Sequence, residues 1–101
     1  MRAEEISELL DLYRSEMSKN LTRLEAAIKS GNAKDVELIA HNCAGTSANC
    51  GMVAVVTSLL KLEQMGRAGQ LAGALALTGE THREFERINY FLKENFEPVA
   101  V

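Results

Sequence analysis

His41-Asn42-Cys43-Ala44-Gly45-Thr46-Ser47-Ala48-Asn49-Cys50-Gly51 is a run of small side chains behind a single imidazole. At helical spacing Ala44, Gly45 and Ala48 lie beside His41 on one surface, with Leu38 on the same side. Val36, Ala40, Cys43, Ser47 and Cys50 alternate by four and three on the adjoining surface, which is the spacing of a stripe turned toward a core. The segment therefore predicts a helix with a narrow buried face and, next to it, a nearly bare face carrying His41. Glycine in a helix interior costs stability, so Gly45 needs a reason to be there. Since glycine averages about 7% of residues, this His-x3-Gly-x5-Gly spacing follows a histidine by chance about once in 200 cases, so the two glycines call for an explanation.

Outward from this segment, the rest of the chain is also helical in pattern. Upstream, Ile6, Leu9, Leu10, Tyr13, Met17, Leu21, Leu24 and Ile28 recur every three or four residues, predicting an amphipathic helix from near the start to Ser30. Glu4, Glu5, Glu8 and Asp11 crowd its beginning and Lys29 its end, as the helix dipole favours. Gly31 is placed to stop it, and Asn32 with Asp35 three residues on is placed to cap the histidine helix.

Downstream, Gly51 is a terminator, and a third helix is expected to about Met65. Its opening Val53-Ala54-Val55-Val56 would suit a strand, but Leu59, Leu60, Lys61, Leu62 and Glu63 continue it as helix, and an isolated strand would have no sheet to join. Gly66-Arg67-Ala68-Gly69 is expected to be a turn. Leu71, Leu75, Phe85, Ile88 and Leu92 predict one long fourth helix to about Asn95. Gly73 and Gly79 each weaken it by about 1 kcal/mol relative to alanine. Thr81 and Glu84 have the spacing of a capping box, so a break near Gly79 is the alternative.

Four helices with short connections predict an all-α, antiparallel up-down-up-down four-helix bundle. At 101 residues, 47% apolar and 25% charged, the chain is expected to be one globular domain, with the bundle over 1–96 and a tail at 97–101. The net charge of −3 comes without a basic cluster, so no nucleic-acid partner is expected. No apolar run approaches the roughly 20 residues that cross a bilayer, and the charged start is wrong for a signal peptide. A cytoplasmic protein is expected. Cys43 and Cys50, in one helix, would have Cα atoms about 10.5 Å apart, too far for a disulfide. No further Cys or suitably spaced His completes a metal set, so no metal site is expected, and the thiols read as small buried hydrophobes.

The stretch Ile39-Ala40-His41-Asn42-Cys43-Ala44-Gly45-Thr46-Ser47-Ala48-Asn49-Cys50-Gly51 resembles the histidine-containing phosphotransfer (HPt) domains of multi-step phosphorelays. The resemblance extends over nearly the whole chain. Ala26 to Asp35 is similar to the loop entering that family's histidine helix, and Leu59 to Leu71 to its third helix and turn. The resemblance implies that His41 is the phosphoryl acceptor, loaded from an aspartyl phosphate on one receiver domain and discharged to an aspartate on another. Gly45 would leave room for the receiver. Leu38, Ala44, Gly45 and Ala48 are the expected partner contacts.

The receiver would supply Mg²⁺, so no cofactor is expected here. The chain also lacks a glycine-rich phosphate cradle, and the resemblance implies a phosphocarrier rather than a kinase, expected as a monomer. The family usually has a lysine three residues after the histidine, where this chain has Ala44. Lys34, two turns before His41 on a similar face, is the candidate phosphate-side cation, although about 10 Å is far for direct contact. The alternative reading is an HPt-like bundle that docks receivers without accepting phosphate. A helical enzyme with a His/Cys site is disfavoured, because Cys43 points to the core and lacks a second catalytic partner. His82 sits among residues of a solvated helix face and is assigned no function.

Overall fold

In the computed structural model, which describes residues 2–49 and 52–96, four helices run in sequence: α1 Ala3–Lys29, α2 Ala33–Asn49, α3 Val53–Ala68 and α4 Ala74–Phe96. Cys50, Gly51 and the tail 97–101 lie outside the described residues, so the expected stop at Gly51, the second thiol and the tail boundary do too. Each helix packs on its chain neighbours and α4 closes onto α1, while the diagonal pairs stay apart, giving the expected four-helix bundle.

The connections follow from local chemistry. At the end of α1, Gly31 takes φ +73°, and the Gly31 and Asn32 amides donate to the carbonyls of Ile28 and Ala27 at 3.1 and 2.9 Å. This is a glycine-terminated cap that satisfies carbonyls the helix leaves orphaned. Asn32 then opens α2, its Oδ1 accepting from the Asp35 amide at 3.1 Å while its Nδ2 donates to Asp35 Oδ2 at 2.9 Å. The predicted Asn32/Asp35 cap forms, although Asp35 engages the asparagine side chain rather than its backbone.

Two boundaries differ from expectation. α3 continues through Gly66, Arg67 and Ala68, and only Gly69, at φ +69°, ends it. Gly66 is helical because it packs against α2. A Cβ there would lie 2.5 Å from the Glu37 nitrogen and 2.8 Å from the Ala33 carbonyl oxygen, so only glycine permits this approach. α4 starts at Ala74 rather than at Leu71, since Gly73 at φ +82° cannot belong to a right-handed helix. Beyond it α4 runs unbroken through Gly79. Thr81 is not a cap: it is buried, and its hydroxyl makes hydrogen-bond contacts with Ser58 Oγ on α3 at 2.8 Å and with the Leu77 carbonyl of its own helix at 2.9 Å.

The core is the union of the predicted stripes. Tyr13, Met17, Leu21 and Leu24 of α1 meet Val36, Ala40 and Cys43 of α2, Val55, Leu59 and Leu62 of α3, and Phe85 of α4. Leu9 and Leu75, expected in those stripes, are exposed instead. Tyr13 ties three helices together. Its ring meets Phe85 edge-on with centroids 6.1 Å apart, and its hydroxyl bonds Ser47 Oγ at 2.9 Å. That bond lets a serine sit fully buried on α2 without an unsatisfied hydroxyl.

Candidate functional site

α2 turns its core residues inward and so must turn His41 outward, one position beyond Ala40. The imidazole side chain is 70% exposed, where a phosphoryl donor could reach it. Around it, His41, Ala44, Gly45, Ala48, Val56 and Leu60 line one shallow hollow between α2 and α3. The structure thus brings His41 together with Ala44, Gly45 and Ala48. Leu38 is also exposed on α2.

Ala44 differs in part from the expectation of a bare surface residue. It is buried, forming part of the hollow and joining the core cluster, because α3 packs closely over this side of α2. Gly45 is exposed, and an added Cβ would have nothing within 4 Å. Among the described residues nothing requires a glycine there, in direct contrast to Gly66.

The residue that sequence reasoning missed is Glu63. It lies on α3, its side chain only 7% exposed, and its Oε1 is bonded to His41 Nδ1. Against an ionised carboxylate, which only accepts, Nδ1 is the donor of this bond, and in the neutral ring that tautomer leaves the lone pair on Nε2. The sequence held a signal for this. Val55, Leu59, Leu62 and Gly66 form the buried stripe of α3, and Glu63 lies beside it, four residues after Leu59 and three before Gly66. A carboxylate at a semi-buried stripe position asks for a partner.

A chain of charges extends from the pair. Arg67 Nη2 lies 3.9 Å from the same Oε1 of Glu63, and Arg67 Nε is 3.1 Å from Glu37 Oε2. Lys34 Nζ sits 3.3 Å from Glu37 Oε1. The hydrogen bond from Arg67, and after it that from Lys34, hold the Glu37 carboxyl below its ordinary 4.5. Lys34 is therefore engaged by Glu37 and linked to His41 only through Arg67 and Glu63.

The remaining candidates lie elsewhere. Cys43 is fully buried, and desolvation pushes its thiol from 9.0 up to about 11, so it is no nucleophile. His82, on α4, has Nε2 3.9 Å from Glu25 Oε1 of α1. Among the described residues no group of three or more His, Cys, Asp and Glu side chains is placed to hold a metal, and no helix is long and apolar enough to cross a membrane.

The sequence model of the Hpt domain matches residues 8–90. The fold is similar to the crystal structure of histidine-containing phosphotransfer protein B (HptB) from Pseudomonas aeruginosa PAO1. The TM-score is 0.83 and the sequence identity 32%, covering 85% of this chain and 75% of that one. No curated protein matches the chain.

Proposed function

The chain belongs to the Hpt domain family, whose role is histidine phosphotransfer in phosphorelays, and from that premise we propose that His41 is its phosphoryl acceptor, reacting through Nε2. The observation that carries this reading is the exposed imidazole held at Nδ1 by the buried Glu63. Hpt domains interact with receiver domains, and here the hollow formed by Ala44, Gly45 and Ala48, with Leu38 nearby, is the surface that fits one. Small side chains let the acceptor aspartate of a receiver approach the ring without obstruction.

The chemistry balances with few groups. The Nε2 lone pair attacks phosphorus of a receiver's aspartyl phosphate, the N–P bond forms and the bond from phosphorus to the aspartyl oxygen breaks, releasing a carboxylate. The imidazole becomes cationic as this happens, with its proton retained on Nδ1. Glu63 faces that proton, so its negative charge offsets the developing positive charge, and its bond fixes the ring orientation. Transfer to the second receiver is the same step reversed. Under this reading the receiver brings Mg²⁺, and the chain works as a monomeric cytoplasmic carrier without a nucleotide site.

Incubation with a phosphorylated receiver is expected to give acid-labile label on the wild-type protein and none on His41→Gln. Label that survives the substitution would place the acceptor elsewhere. Ala44, in place of the family's usual lysine, is the one observation favouring a second reading, a bundle that binds receivers and takes no phosphate. The same mixture separates the two, since that reading gives complex formation with no label on the wild type.

A further inference from the structure

The geometry points to Arg67 as the positioning residue that supplies, from α3, the positive charge that α2 lacks at position 44. This rests on the reading of His41 as phosphoryl acceptor. A phosphoryl group carries about −1.5 to −2 at neutral pH. On His41 it would arrive beside a carboxylate, Glu63, that already touches the ring, with a second, Glu37, behind it. The carboxylates favour the ring's own positive charge but repel the negative charge of the phosphoryl group itself. On α2 the neighbours of His41 are Leu38, Ala44, Gly45 and Ala48, none of them basic.

Arg67 answers that charge from the adjacent helix. Its guanidinium and the His41 imidazole share one oxygen, Glu63 Oε1, which puts the cation against the group that orients the ring. Its Nε donates to Glu37 Oε2 at 3.1 Å, which orients the guanidinium although the side chain is 57% exposed. The planar fork suits this double duty, one face of donors for each carboxylate. Lys34 is not placed to do the same, because its ion pair is with Glu37 Oε1 at 3.3 Å and not with the Glu63 carboxylate that meets the ring. Lys61 lines a separate groove between α3 and α4, away from the histidine.

Two consequences separate this role from mere packing. Charge at position 67 should matter for the rate of transfer and little for receiver binding. A lysine restored at position 44 should also make Arg67 dispensable, since the hollow around Ala44 gives a lysine stem a path to solvent beside His41.

The test is the kinetics of transfer from a phosphorylated receiver, measured across receiver concentrations, for the wild type, Arg67→Ala, Arg67→Lys and the double variant Arg67→Ala/Ala44→Lys. The expected result is a maximal rate lowered about tenfold in Arg67→Ala, the size of one charge-assisted contact, with the half-saturating concentration unchanged. Arg67→Lys retains more of the rate than Arg67→Ala, and Ala44→Lys returns most of what Arg67→Ala lost. A rate within twofold of wild type in Arg67→Ala, a loss confined to half-saturation, or no recovery by either lysine overturns the role of Arg67 while leaving His41 as acceptor. Failure of the wild type itself to take label overturns both.

Discussion

At the scale of single residues, two glycines on facing helices show how the same amino acid answers different demands. Gly66 has backbone atoms of α2 where its side chain would be, whereas Gly45 has open space. A helical glycine with no internal contact costs about 0.5–1 kcal/mol relative to alanine. Gly45→Ala is therefore expected to raise the thermal unfolding midpoint by several degrees, and a lowered midpoint would mean that the fold itself needs this glycine. Gly45→Glu is expected to keep the helical circular-dichroism spectrum and lose phosphotransfer, because the obstruction falls on the partner's side. The sequence alone singled out Gly45 through its spacing from His41. It could not show that a side chain there would meet open space, which required the packed structure.

At the scale of elements, the histidine helix was legible and its neighbour less so. The α2 stripe of Val36, Ala40, Cys43 and Ser47 is buried as the four-three spacing requires, and the Asn32 cap forms. Gly66 gave a misleading local signal, since beside Gly69 it has the composition of a turn. Its helical state is decided by α2, whose backbone at Ala33 and Glu37 occupies the space of the missing side chain. That contact also sets the distance between α2 and α3, on which the His41–Glu63 pair depends. Gly66→Ala is expected to destabilise the bundle by about 1–3 kcal/mol, the usual cost of overpacking, measured as a lower urea midpoint. It should also slow phosphotransfer by parting His41 from Glu63. An unchanged midpoint would mean that the two helices separate without cost.

At the scale of the whole molecule, one core joins all four helices, so exposure of Cys43 requires the bundle to open. In a Cys50→Ser background, alkylation of Cys43 at neutral pH is expected to be negligible in the native protein. It should appear with denaturant along the same curve as loss of helical circular dichroism, and rapid labelling without denaturant would contradict the buried placement. The thiol also sets a pH dependence. Its folded value, about 11, exceeds the ordinary 9.0, so the fold favours the neutral form. Stability from this group is fully present below pH 9.0 and falls as the pH rises toward about 11. Thermal midpoints recorded across that window should decline more in the Cys43-containing protein than in Cys43→Ala.

The helices, their stripes, the two caps around Gly31 and Asn32, and the exposure of His41 follow from spacing along the chain. These are consequences of helical period and local hydrogen bonding, which act over a few residues and are written in order. Glu63, Arg67 and the role of Gly66 were decided only when α3 packed against α2, because the groups that meet there are separated by 22 or more residues. Residue type told which groups could pair. Only the packing of two helices at the distance glycine allows selected which of them do.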